Sequence, residues 1–304
     1  MYASRDEARS DLLLAAAAYL FGPLFVGLLL TAVPLERLPG VAQVLRIVLP
    51  LVYTLLVPLL LIRYRKESLR AYGFGDGRDP STLVGLLAAL PVVVASVLVA
   101  LLAHGDPLAA LPMFPGGAFP LALAGVSPVL VTIERLAQWV GVLLLALYVA
   151  VKARDAFGST PIATADAVRK VSRVVAVGGA VATLLLVIVA LGRFDLARLV
   201  AILLGPVAVA AAVGITIKRL GLAGSTLLGA IVVPVVVLAV QPLRGILTFD
   251  LVRLLSAVYG GALSAGFGMI VALMVDRTRR GLGVLMLGIV IATLTMLGPF
   301  GFAV

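Results

Sequence analysis

The chain has no cysteine, which excludes disulfides, thiolate nucleophiles and cysteine-ligated metals. It has one histidine, His104, in "LLAHGDPL". A protein metal centre needs three or four ligands, so a single histidine without cysteine excludes the usual zinc sets and paired-histidine haem. His104 is expected to be an interfacial turn residue, and no cofactor is expected. Asparagine is also absent, and glutamine occurs only at Gln43, Gln138 and Gln241. Arginine greatly outnumbers lysine. Scarcity of Asn, Gln and Cys is a compositional habit of heat-adapted proteins, which points to a thermophilic prokaryote, an archaeon in particular. Charge is scarce too: 12% of residues are charged, against about a quarter in soluble domains.

Apolar sequence fills the space. Hydrophobic residues make up 62% of the 304, in runs close to the ~20 residues a helix needs to cross a bilayer. The expected fold class is all-α: one integral membrane domain over 1–304, a polytopic transmembrane helix bundle of about nine spans. These are 12–33, 44–62, 82–103, 129–151, 174–192, 198–217, 223–241, 253–275 and 282–303. The run 12–33 is too long for a signal-peptide core, so a retained first helix is expected. The fourth apolar run starts at Phe119. As one helix to Val151 it would reach roughly 50 Å, far beyond a hydrocarbon core. Pro128 disfavours helix at the residue before it, so a helix break is expected there, with 119–127 a half-helix or re-entrant piece.

Positive charge orients the bundle. With the N-terminus inside, the cytoplasmic segments hold 17 Lys and Arg and the outer segments 6, which gives N-inside, C-outside. The net charge of +10 is therefore a topology signal and not a nucleic-acid footprint. The partner it implies is the lipid bilayer of the cell membrane. The cytoplasmic loops 63–81 and 152–173 are too short for a soluble domain. In the second, Thr160-Pro161 reads as a helix start, and "IATADAVRKVSR" as a short surface helix leading into span five.

The sharpest chemical feature is "VTIERLAQWVG", 131–141. Glu134 is the one acid placed well inside a span, where a charge costs ~3 kcal/mol or more and faces a partner or a cavity. Ser127, Glu134, Gln138 and Gly141 share a stripe. Arg135 sits four residues before Trp139, the only tryptophan, at cation–π spacing. Glu134, Arg135, Gln138 and Trp139 thus form a candidate intramembrane polar site: a proton acceptor, substrate anchor or ion ligand, or else a buried pair locking one helix to its neighbours. Gly260, Ser264 and Gly268 recur every four residues and form a helix-packing face, within the chain or toward a protein partner or second copy. The other polar residues in the spans, Ser96 and Thr183 among them, can bond to their own helix backbone.

"YGFGDG" at 72–77 resembles the GxGD element of intramembrane aspartyl proteases, but Asp76 lies in a polar glycine-rich loop, where a turn is expected. Three stretches resemble the CAAX-protease and bacteriocin-processing (CPBP) family of intramembrane proteases. They are "RYRKESLRAYGFGDGRDPSTLVGLL", "GVSPVLVTIERLAQW" and "GGALSAGFGMIVALMVDRTRRGLGVLMLGIVIATL". The first resembles the basic loop before the family's core, the second its Glu-Glu-x-x-x-Arg region, the third its closing helix pair. The catalytic set does not carry over. With Glu134 as the second glutamate, Ile133 stands for the first and Gln138 for the arginine, and the closing run 282–303 holds neither His nor Asn. The resemblance therefore implies an inactive member.

Three functions follow as expectations: a non-catalytic subunit or scaffold of a membrane assembly, a transporter or permease with its polar site at Glu134, Arg135 and Gln138, and a membrane enzyme acting on lipid or peptide. If Glu134 and Arg135 form a structural pair, Glu134→Gln and Arg135→Gln each lower the melting temperature and the double mutant is non-additive. Additive shifts in a detergent melt would argue against pairing.

Overall fold

The computed structural model describes residues 4–32, 44–45, 48, 51–74, 80–102, 128–157, 165–190, 196–221, 229–231 and 251–296. Among these residues every regular element is helical: α1 (Arg5–Ala32), a π turn (Val52–Leu56) running into α2 (Val57–Tyr64), a 3-10 turn (Leu69–Tyr72), α3 (Pro80–Leu102), α4 (Pro128–Phe157), α5 (Ala165–Ala190), α6 (Leu196–Leu220), α7 (Leu251–Thr278) and α8 (Leu282–Met296). Three helices are long and apolar enough to cross a membrane, over Ser81–Val99, Leu199–Leu220 and Leu254–Thr278. Shorter apolar helices cover Thr54–Tyr64, Arg173–Val189 and Leu282–Ala292. The segment 119–127, most of 223–241, Asp76 and His104 lie outside the described residues.

Local chemistry sets the helix ends. Ser4 and Glu7 form a reciprocal capping box at the start of α1: Ser4 N–H donates to Glu7 Oε2 at 2.8 Å and Glu7 N–H to Ser4 Oγ at 3.3 Å. The helix α4 begins at Pro128, the first-turn position where a missing N–H costs nothing. Pro58, early in α2, has no N–H for the Thr54 carbonyl, and just before it the helix widens, Val57 N–H reaching back to Val52 O. The expected surface helix before span five is not separate: α5 runs unbroken from Ala165 to Ala190.

Two helices are buried nearly all round and form the centre. In α4 the run Leu143–Val151 is mostly inaccessible, and in α7 so is Leu263–Val275. The helix α4 packs on α1, α7, α8 and the π turn, while α7 also packs on α5 and α6. The outer helix α3 lies between α6 and α8. The helix α5 turns Val174, Val177, Val181, Leu184 and Ile188 outward, an exposed apolar stripe at helical spacing. Apolar residues pointing away from the core are what a hydrocarbon solvent permits. Ser96 and Thr183 bond to their own helix as expected: Ser96 Oγ donates to Val92 O at 2.9 Å and Thr183 Oγ1 to Gly179 O at 2.7 Å, whereas the buried Ser264 Oγ has no hydrogen-bond partner among the described residues.

Glycines allow the closest helix approaches. A Cβ on Gly85 of α3 would collide with the Gly283 carbonyl of α8, and one on Gly283 with the Ser81 carbonyl. At that crossing Ser81 Oγ accepts the Gly283 N–H at 2.9 Å, filling an otherwise orphaned donor at the start of α8. Gly283→Ala is therefore expected to destabilise the bundle by about 1–3 kcal/mol through overpacking. Gly214, in α6, has open space where its Cβ would stand, so Gly214→Ala is expected to be neutral or stabilising by up to about 1 kcal/mol through helix propensity. Thermal melts of the two variants in one detergent compare them directly.

Candidate functional site: a buried ion network

The charged groups that the structure brings together sit at one end of the bundle. Lys152, one of only four lysines, lies on α4 with its side chain 1% exposed. It follows the buried run of α4 and is closed off from water. Counter-charges come from two other elements instead. Nζ is 2.8 Å from Asp11 Oδ2 on α1 and donates to Glu67 Oε1 at 2.7 Å. The Asp11 contact is a close charge pair without hydrogen-bond alignment at Oδ2. Asp11 is itself wholly buried, and its Oδ1 accepts from Arg65 Nε and Nη2, both at 3.0 Å. Arg65 reaches on to Glu7 at the exposed rim, 3.3 Å away.

Glu67 and Arg65 are aimed by the end of α2. Lys66 adopts φ 53°, a left-handed conformation. Lys66 N–H donates to Arg63 O and Glu67 N–H to Ile62 O, at 3.1 and 3.0 Å. That is the Schellman closure of a helix, with lysine where glycine is usual. It reverses the chain sharply enough that Arg65 and Glu67, two residues apart, serve opposite sides of the same knot. Glu67 gains a second donor from Tyr72, whose hydroxyl lies 2.5 Å from Oε2. Burial first, and then that bond to Glu67, hold the Tyr72 phenol far above its usual range, so it stays a donor. Its ring stacks on Tyr148 of α4, centroids 5.7 Å apart and 8° from parallel, and Lys152 Nζ lies 5.7 Å from the Tyr148 centroid. After Tyr72 the chain turns at Gly73 (φ 82°), whose Cβ would collide with the Gly281 backbone; Gly281 N–H donates to Gly73 O at 3.2 Å.

Two cations and two anions are thus paired inside the protein, with Glu7 outside as a third acid. Hydrogen bonds from Ser4, backbone first, hold the Glu7 carboxyl below its usual range. Removing one partner from such a network leaves an uncompensated buried charge, the costly case for an ion pair. Every carboxylate oxygen inside the knot has a donor or a cation, so none is placed as a free base. Among the described residues no group of three His, Cys, Asp or Glu could hold a metal.

The sequence-derived candidates lie elsewhere. Glu134, Arg135, Gln138 and Trp139 belong to the first turns of α4, and their side chains are outside what the structure describes. Gly141, on the same stripe, is where α4 meets the π turn, for a Cβ there would press on Thr54. Ser264 and Gly268 are buried in α7 and Gly260 is half-buried. Reading Asp11, Arg65, Glu67 and Lys152 as loop or span-end charges misses their burial. The segment 152–173, read as a loop, is helical over its first six residues as the end of α4, and again from Ala165 as the start of α5. The one local signal was Tyr148 four residues before Lys152, on the last helical turn before the charged end of α4. No family model, curated protein or solved structure matches the chain.

Lys152→Met is expected to lower stability by about 3–5 kcal/mol, since it strands two buried carboxylates. Tyr72→Phe is expected to cost about 1.5–3 kcal/mol for one lost hydrogen bond to a charged group. Unfolding in detergent measures both, and a Lys152→Met variant within 1 kcal/mol of the parent would show that the knot does not hold this end together.

Proposed function

We propose that the chain is a non-catalytic multi-pass membrane protein, a subunit or scaffold of a membrane assembly and an inactive relative of the CPBP proteases. In this reading it has about nine spans, N-terminus inside and C-terminus outside, in the cell membrane of a thermophilic prokaryote, an archaeon in particular. The observation that carries the proposal is the saturation of the ion network. Lys152, Asp11, Glu67, Arg65 and Tyr72 spend their charges and protons on one another. Such a set fixes geometry; an acid–base catalyst or a proton carrier needs a group free to exchange. The 63–87 stretch meets the α7–α8 turn at Gly73–Gly281 and Ser81–Gly283, contacts that likewise fix geometry.

Native mass spectrometry of the protein extracted from its own membrane in mild detergent tests the proposal. The expected result is a stoichiometric protein partner. A lone chain, or a homo-oligomer carrying only a small molecule, would overturn it in favour of the transporter reading at Glu134.

A further inference from the structure

Beside the ion network lies a second charged feature that it does not use. A cavity of 380 Å³ is lined by Arg70, Arg154, Arg279 and Arg280, with Asp276 as its one acid. It adjoins a cavity of 300 Å³ that shares Arg70, Tyr72 and Arg154 and adds Asp155 and Glu67 of the ion network. These arginines come from the 3-10 turn, the last turn of α4 and the chain just beyond α7. Helix C-termini attract cations, and that accounts for one cation at each end. It does not account for four guanidinium groups around one concavity. Four guanidinium groups line it with Asp276, and Arg154 also pairs with Asp155 at 3.9 Å.

Arg279 carries the argument further. Its φ is 52°, in the region where a side chain costs about 1–2 kcal/mol and glycine costs nothing. The chain keeps an arginine at that position, and the guanidinium lines the cavity. Arg279 also directly follows the apolar helix Leu254–Thr278, which sets it at headgroup depth for a helix that crosses a bilayer. On the other side of Tyr72 an apolar cavity of 210 Å³ is walled by Leu55, Leu59, Phe74, Leu144 and Leu285. Tyr72 is thus the shared wall between a cationic hollow and an apolar one. Burial raises the Asp155 carboxyl above its usual range, against the pull of Arg154 and Lys152, which weakens the one acid that the adjoining cavity adds outside the ion network.

We infer that this arginine-lined hollow binds the phosphate of an anionic membrane lipid, with the start of its hydrocarbon chain along the apolar wall beyond Tyr72. Guanidinium groups match phosphate oxygens in pairs, and basic pockets between helices at the membrane face take anionic headgroups. The source is a lipid and not free phosphate because the apolar cavity shares the Tyr72 wall. The inference is independent of the scaffold reading, since its cations are not those of the buried network.

The test uses the full chain in nonionic detergent, titrated with phosphatidylglycerol, phosphatidylcholine or inorganic phosphate and read by melting temperature and native mass spectrometry. Phosphatidylglycerol is expected to raise the melting temperature and to be retained on the chain; the other two are not. Arg279→Gly removes the guanidinium while relieving the backbone, so its lipid-free melting temperature is expected to be unchanged or higher, with phosphatidylglycerol affinity at least tenfold weaker. Arg154→Gln is expected to weaken the same lipid without disturbing the buried network. Parental affinity in both variants would overturn the site. Equal binding of phosphatidylcholine would overturn the anion assignment, and inorganic phosphate binding as tightly as the lipid would overturn the lipid.

Discussion

A lysine ammonium leaves water only when counter-charges come with it, and the end of this bundle is arranged around that requirement. Lys152 sits on one of the two enclosed central helices, and its two carboxylates arrive from elements far away in sequence, Asp11 from α1 and Glu67 from the turn after α2. Arg65 then balances Asp11, and Tyr72 completes Glu67. Each addition answers a need left by the one before. The result ties α1, α2, the 3-10 turn and α4 through directional contacts, which apolar packing between helices in a membrane supplies poorly.

The same end is closed by backbone rather than side chains on its far side. Gly73 and Gly281 touch through a main-chain hydrogen bond, and Gly85, Ser81 and Gly283 let α3 and α8 cross with almost no side chain between them. Left-handed residues end both α2 and α7, yet these are Lys66 and Arg279 rather than glycine. At Lys66 the left-handed turn aims Arg65 and Glu67 into the knot. At Arg279 it leaves a cation on the arginine-lined hollow. The knot holds the helices and the hollow faces outward, so this end offers both rigidity and a charged surface.

The outer faces are apolar. The stripe from Val174 to Ile188 on α5 is exposed among the described residues, a pattern compatible with a helix inserted in a membrane. At Ser96, Thr183 and Thr216 the buried hydroxyl bonds to its own helix backbone, which leaves the packing surface there apolar. Among the described residues, polar contact between elements is concentrated at the charged end.

Composition and run length alone called for a helical chain with helices long and apolar enough to cross a membrane, and among the described residues the structure is all-helical with three such helices. The apolar runs located the starts of α3, α4 and α8 to within a residue or two, and at α4 Pro128 was a local signal. The burial of Lys152, Asp11 and Glu67 was not legible. A charge at the edge of an apolar run reads the same whether it faces water or an opposite charge from another helix. Lys152 and Glu67 are 85 residues apart in the chain, and no periodicity within either segment records the other. Sequence could fix which residues are apolar because that property is local. Only the tertiary structure could decide which charges meet, because the energy of a buried ion depends on what surrounds it.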